Sequence, residues 1–362
     1  MDEWGAIIMK KLFFSLLFSC ACLAHAADWY VATNGTGTGA SWADATNNLQ
    51  GAISACADGN TVWVNDGTYQ TGSNSTAWAG PAGGGWNRIV ISNVITVSSL
   101  NGPHSTTIKG ETGMRVVYMV SGSRLTGFTL SDGTLIENDG LDGGGVFCSN
   151  SEAVVSNCII SGCAVSGSAE GGGVYKATIY NAIVTGCFNA VYGGGAAYSP
   201  MYNSLIVDCI ANAGGGVSIV TAYNCTISGC SASFEGGGLR DSTIYNTISW
   251  GNTPADHNVS AFFSCGAGFT NNGSFTNDPL FVSAGDLHLQ PGSPCINTGT
   301  NGIWTVGDAR DLAGNPRVWT NNGTVDMGAY EYGSYLVTLV LYGNSVTAIR
   351  GSNAAIIRGY VQ

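Results

Sequence analysis

From residue 143 to residue 252, apolar and polar positions follow a beat near 22 residues, and inside each beat they alternate in twos. Aligned on an asparagine, the units read Asn157 then CIISGC, Asn181 then AIVTGC, Asn203 then SLIVDC, Asn224 then CTISGC, and Asn246 then TISWGN. The first position after each asparagine is small or apolar: Cys158, Ala182, Ser204, Cys225 and Thr247. The third is mostly β-branched: Ile160, Val184, Ile206 and Ile227, with Ser249 closing the series. A period of two predicts a short strand with the first and third positions inward. The second position is apolar in most units as well, so alternation alone leaves the facing open.

Each unit also carries a glycine triplet, at 143–145, 171–173, 193–195, 214–216 and 236–238, whose starts lie 28, 22, 21 and 22 residues apart. An apolar residue follows each one: Val146, Val174, Ala196, Val217 and Leu239. A weaker earlier unit puts Gly127 in the asparagine place, Phe128 at the first position and Leu130 at the third. Two or three short strands per unit, with no helical phasing, predict a solenoid. Parallel stacking sets equivalent residues ~4.8 Å apart, so identical side chains form ladders. Asparagines in such a ladder bond from rung to rung. Upstream, Ala43 to Ala57 reads as a short helix that covers the open end of the stack, where unpaired strand edges need protection.

The repeat resembles the right-handed parallel β-helix of the pectate-lyase-like superfold. The stretches Trp29 to Gly35 and Asp58 to Tyr69 resemble the first coil of many secreted bacterial β-helices. Asp278-PLF, Gly292-SPCINTGT, Asp308-ARDLAGNPR and Val325-DMGAYEY resemble the C-terminal segment of choice-of-anchor Q proteins, a family of exported bacterial β-helix proteins. The expected fold is all-β: a single-stranded right-handed parallel β-helix with an N-terminal cap. The expected divisions are a signal peptide at 1–26, cap and first coils at 27–100, and β-helix at 101–283. A choice-of-anchor Q-like segment follows at 284–332. Residues 333–362 read as a tail, either a truncated further module or a sorting region.

Composition narrows the picture. Charged residues make up 10% and hydrophobic residues 44%, which fits packed strands and excludes disorder. The net charge of −11, with 12 scattered Lys and Arg, argues against nucleic acid as a partner. Met9-Lys10-Lys11, the apolar run Leu12 to Leu23 and Ala24-His25-Ala26 form a signal-peptide pattern, so an exported chain beginning at Ala27 is expected. No later stretch reaches the ~18 apolar residues of a membrane span. A monomer at the cell surface or secreted is the expected state. Cys163, Cys187, Cys209 and Cys230 share one column, a packing pattern. In-register side chains seldom reach the disulfide dihedral, so buried thiols packed as small hydrophobes are expected.

The candidate chemistry is sparse. Asp142 and Glu170 each precede a glycine triplet and become neighbours on adjacent coils, with Asp139 nearby. This acidic cluster is the candidate catalytic pair (Asp142, Glu170) and the candidate Ca²⁺ site (Asp139, Asp142, Glu170), through oxygen ligands or a raised carboxyl pKa. A solvated acidic corner is the plainer alternative. No cofactor is firmly implied. Tyr180, Tyr202, Tyr223 and Tyr245 each precede the asparagine, and form either a flat strip for sugar rings or a supporting ladder. Lys176, Arg240 and Arg124 are candidate lyase bases. His104, His257 and His288 read as surface or packing residues. Asp308, Arg310, Asp311, Arg317, Asp326 and Glu331 read as ion pairs that hold an irregular cap.

The resemblance itself argues against catalysis. Polygalacturonase-like β-helices carry Asn-Thr-Asp, Asp-Asp, Gly-His-Gly and Arg-Ile-Lys blocks, and pectate lyases an Arg-x-Pro-x-x-Arg block; this sequence has none of them. The expectation is a glycan-binding or adhesin-like protein without catalysis, its partner an extracellular polysaccharide or cell-surface glycan. The alternative is a polysaccharide lyase or glycoside hydrolase with an acidic site.

Overall fold

Asparagine makes a corner of the coil. Asn157, Asn181, Asn203, Asn224 and Asn246 adopt left-handed backbone torsions with φ of 46–52°, a region asparagine tolerates better than most residues. Gly127 takes the same corner at φ 83°. The computed structural model describes residues 28–76, 85–135, 141–303, 310–318, 323–333, 338–342, 345–349 and 357–360. The expected signal segment, Asp139 and Asp308 lie outside the described residues.

Four short strands build a full coil. The a-strand follows the glycine triplet (Val146–Cys148, Val174–Tyr175, Ala196–Ala197, Val217–Ser218). The b-strand precedes the asparagine (Val154–Ser156, Thr178–Tyr180, Met201–Tyr202, Thr221–Tyr223). The c-strand follows it (Ile159–Ser161, Ile183–Thr185, Leu205–Val207, Thr226–Ser228, Ile248–Trp250). A d-strand leads to the next triplet (Ala190–Tyr192, Ile210–Ala213, Ser231–Glu235). In the last repeat, a and b merge into one strand, Leu239–Tyr245. Each strand pairs in parallel with its equivalent one coil on, as in Val155 with Ile179 and Ile160 with Val184. The chain is thus a right-handed parallel β-helix.

The facing that alternation left open has a definite answer. First and third positions after asparagine point inward: Cys158, Ala182, Ser204, Cys225 and Thr247, and Ile160, Val184, Ile206, Ile227 and Ser249, are all buried. Second positions point outward. Ile159 and Ile183 are half-buried, whereas Leu205, Thr226 and Ile248 are covered by the C-terminal segment. Their apolar character reflects that second surface.

The three glycines of a triplet answer three different constraints. The first, such as Gly171, turns the corner at φ 65°. A Cβ on the second, Gly172, would sit 2.5 Å from the Gly194 carbonyl oxygen of the next coil. A Cβ on the third, Gly173, would meet Gly195 O at 2.5 Å, Val184 Cγ1 at 2.9 Å and Cys187 Sγ at 3.1 Å. Coil spacing and core packing both demand the missing side chain. The thiols of Cys163, Cys187, Cys209 and Cys230 are buried and free. Each donates to the carbonyl two residues before it, at 3.3–3.6 Å.

The ends of the stack are closed differently. At the start, Leu49–Ala55 is helical, with Leu49, Ala52 and Ile53 buried against the first coil. The helix is shorter than Ala43 to Ala57. Asn48 ends it upstream by accepting the Gly51 amide at 2.8 Å, and Trp42–Asp44 forms a separate 3₁₀ turn. In the last repeat Asn252 stands in the cysteine column and accepts the Cys230 amide at 2.9 Å. Asp256 accepts the Gly238 and Leu239 amides at 3.1 and 2.9 Å. The next coil, His257–Phe262 and Cys265–Gly266, is shorter, and these side chains replace the stretch of backbone it lacks.

The expected C-terminal cap is instead a lateral clasp. Residues 293–303, 310–318 and 323–333 lie against the outside of the c-strands. Gly328 N donates to Asn246 O at 2.7 Å and Ala329 N to Thr226 Oγ1 at 3.0 Å. Asn246 Oδ1 accepts the Thr300 amide at 2.8 Å. Buried Arg317 reaches between the coils to Asn203 Oδ1 and to Asn224 O, the latter at 3.3 Å. It therefore interrupts the expected asparagine ladder, in which Asn203 bonds Asn181 and Asn246 bonds Asn224. Thr338–Tyr342, Ser345–Ile349 and Ile357–Tyr360 form an antiparallel sheet of their own.

Candidate functional site

The acidic corner is real as geometry. Stacking brings Asp142 against Glu170: Asp142 Oδ1 accepts the Glu170 amide at 2.8 Å, and Gly143 N bonds Glu170 O at 3.0 Å. The Tyr175 side chain interacts with the same Asp142 carboxyl. Burial pushes the Asp142 pKa up to about 6, against the opposing pull of the Glu170 amide and of Arg115. Burial and then the Asp142 charge raise Glu170 as well. Tyr175 is raised by burial and then by the two carboxylates.

Cations and rings complete the corner. Lys176 turns out of its strand at φ 56°, which carries its ammonium to 5.0 Å from the Tyr175 ring centroid and 5.9 Å from that of Tyr198. Those two rings meet edge to face at 5.6 Å. Further along, Arg240 lies 4.4 Å from the Tyr192 ring centroid and pairs with Glu235 and Asp241, both at 2.8 Å. His257 stands 3.4 Å from Glu235. A bulge in Ser231–Glu235 falls beside Phe234, which is 79% exposed; bulges commonly re-aim a side chain. Behind this face, Tyr118, Phe147 and Tyr175 stack at 5.5 and 5.6 Å. Arg115, wholly buried, donates to Asp142 O, Gly143 O and Asn87 Oδ1.

The sequence candidates scatter over this frame. Asp142, Glu170 and Lys176 come together. Arg240 joins the same face, locked in ion pairs. Arg124 is exposed on a b-strand near Tyr180. Tyr180, Tyr202, Tyr223 and Tyr245 form an unbroken stack at 4.6–5.0 Å, extended by Phe262 at 4.9 Å. Their near-parallel rings face one another, so each inner ring has both faces occupied. The rungs support each other and leave no flat strip for a sugar.

Of the candidate cation ligands, Asp142 and Glu170 are the two described, and Asp142 Oδ1 already accepts the Glu170 amide, whereas hard cations need several oxygens. Among the described residues no group of three or more His, Cys, Asp or Glu could hold a metal. Among the described residues of the clasp, Arg317 alone pairs with a carboxylate, Glu331 at 3.0 Å. Arg310 donates to Gly314 O. Asp311 and Asp326 accept backbone amides of Asn315, Glu331, Asn297 and Tyr332. Sequence reasoning missed Tyr175, Tyr192, Tyr198 and Phe234, because their place in the repeat varies from coil to coil. Their one signal was their nearness to the glycine triplets.

The fold defines the class: a right-handed parallel β-helix. The crystal structure of pectate lyase Pel9A is similar, with a TM-score of 0.52 and 14% identity over 84% of this chain and 96% of that chain. The PL6 family alginate lyase AlyGC is a looser likeness: TM-score 0.24, 12% identity, 65% of this chain and 40% of that one. No family model and no curated protein matches the chain. Likeness at this identity shows the fold alone.

Proposed function

We propose that this is an exported β-helix protein that binds an extended, neutral glycan along the a-strand face without cleaving it. The observation that carries the reading is the row Tyr175, Lys176, Tyr198, Tyr192 and Arg240, with carboxylates set between the rings. Aromatic faces pack on sugar C–H surfaces, and carboxylates accept from sugar hydroxyls. Four carboxyls (Asp142, Glu170, Glu235, Asp241) outnumber two cations (Lys176, Arg240) on this face, which disfavours a polyanion. The reading without cleavage is supported by Asp142, whose Oδ1 is tied to the Glu170 amide. Residues 278–332 serve, in this reading, as a choice-of-anchor Q-like segment of a monomeric surface or secreted protein.

Purified chain run through gels containing a panel of polysaccharides tests the binding. Retardation by at least one neutral glycan, weakened about fivefold in each of Tyr192→Ala and Tyr198→Ala, is expected; one lost ring contact is worth ~1 kcal/mol. Equal mobility with every glycan would sink the proposal.

A second reading rests on one observation: two carboxyls of raised pKa stand side by side next to Lys176, and such perturbed groups concentrate at catalytic sites. In a lyase or glycoside hydrolase the same panel would release unsaturated products or new reducing ends, and Asp142→Asn and Glu170→Gln would abolish them.

A further inference from the structure

We propose that Cys265 and Cys295 form a disulfide that fastens the C-terminal clasp to the last coil. Cys265 pairs in register with Ile248, at the outward second position after the asparagine corner. Its neighbour Ser264 takes the inward place and bonds the Thr247 amide at 3.1 Å. Cys265 therefore faces out, toward the clasp. Cys295 belongs to the clasp and faces in, and its carbonyl accepts the Met327 amide at 3.0 Å. Both are fully buried in one apolar cluster with Ile248, Leu289 and Met327. The Cys265 thiol donates to Asn277 O at 3.1 Å, and the two free thiols interact within this cluster, as the inner-column thiols do with one another.

The contrast with the inner column makes the pair specific. Cys163, Cys187, Cys209 and Cys230 project in the same direction from in-register strands, a poor start for a χ₃ near ~90°. Cys265 and Cys295 approach from opposite sides of an interface, so a side-chain rotation brings the sulfurs together. The link would close the loop from 265 to 295 and restrict the unfolded chain.

The chemistry balances by thiol–disulfide exchange. Before the clasp docks and buries both sulfurs, the Cys295 thiolate attacks a small external disulfide and releases one thiol. The Cys265 thiolate then attacks the mixed disulfide and releases the second. The two protein thiols lose two protons and two electrons, and the external disulfide is reduced to two thiols. The export reading bears only on where an oxidant would be met; bond formation is tested without it and without any glycan.

The purified chain is unfolded with reductant, refolded in oxidised glutathione, alkylated in denaturant without reductant, digested and mapped by mass spectrometry. The expected result is one cross-linked peptide pair joining Cys265 to Cys295, with the cysteines of the inner column alkylated. Alkylation at both 265 and 295, a lasting glutathione adduct on either, or pairing with an inner-column cysteine would overturn the proposal. A second measurement follows limited proteolysis of the clasp. Dithiothreitol should speed its release severalfold in the oxidised chain and leave Cys265→Ser unchanged; an identical response in both would show that the bond does not fasten the clasp.

Discussion

Two kinds of residue set the local limits of this molecule. Gly194 has no room for a methyl group, since a Cβ would sit 2.5 Å from the carbonyl oxygens of Gly215 and Ile210. Gly194→Ala should lower stability by roughly 1–3 kcal/mol, the usual scale of overpacking. Gly285 meets nothing within 4 Å and has no left-handed torsion, so Gly285→Ala should be neutral or raise stability by about 0.4–1 kcal/mol. Urea denaturation midpoints compare the two. Asp142 tests the electrostatics. Its folded pKa is raised from 3.8 to about 6, so the folded state holds the proton more tightly than the unfolded chain does. Its contribution is most favourable below the unfolded value and is lost as pH rises through about 6. Asp142→Asn should flatten the fall of melting temperature between those pH values, and a slope like wild type would show that other carboxyls cause it. The register of the triplets made the Asp142–Glu170 contact legible from sequence. The engagement of Asp142 by Tyr175 was not, because it depends on a side chain five residues past Glu170 turning back across the coil.

At the scale of elements, the strands and corners were legible because each repeats five times and every copy obeys the same packing rule. The clasp was legible only as a resemblance. Its sequence has no period, and its docking surface, the outward Leu205, Thr226 and Ile248, looked like an ambiguity of facing. Arg317 holds that docking together through Glu331, Asn203 and Asn224. Burial pushes the Glu331 pKa up to about 8, with Arg317 opposing the rise. Arg317→Met would break the buried ion pair and remove the donor to Asn203 and Asn224, at a cost of about 3–5 kcal/mol. Hydrogen exchange should then show loss of protection across 310–333, while the inner strands Val174–Tyr175 and Thr178–Tyr180 stay protected. Uniform loss over the whole helix would instead mean that clasp and coils unfold as one unit.

For the whole molecule, the parallel β-helix lays two unlike faces along one rod. The a-strand face gathers rings, cations and carboxylates that vary from coil to coil, the variety that the proposed glycan binding would use. The b-strand face repeats tyrosine so strictly that its rings spend their faces on each other. The C-terminal clasp adds a constraint that solenoids ordinarily escape. Stacked repeats tolerate the insertion or loss of a unit, because each touches only its neighbours. Here Arg317, Ala329, Gly328 and Thr300 together touch the coils of Asn203, Asn224 and Asn246. The clasp is a gauge that measures coils at a fixed spacing of 22 residues from Asn224 to Asn246. An added coil before Asn181 would leave that gauge undisturbed, whereas one inserted between Asn203 and Asn246 would move its contacts out of reach. The rod is free to change length at one end only.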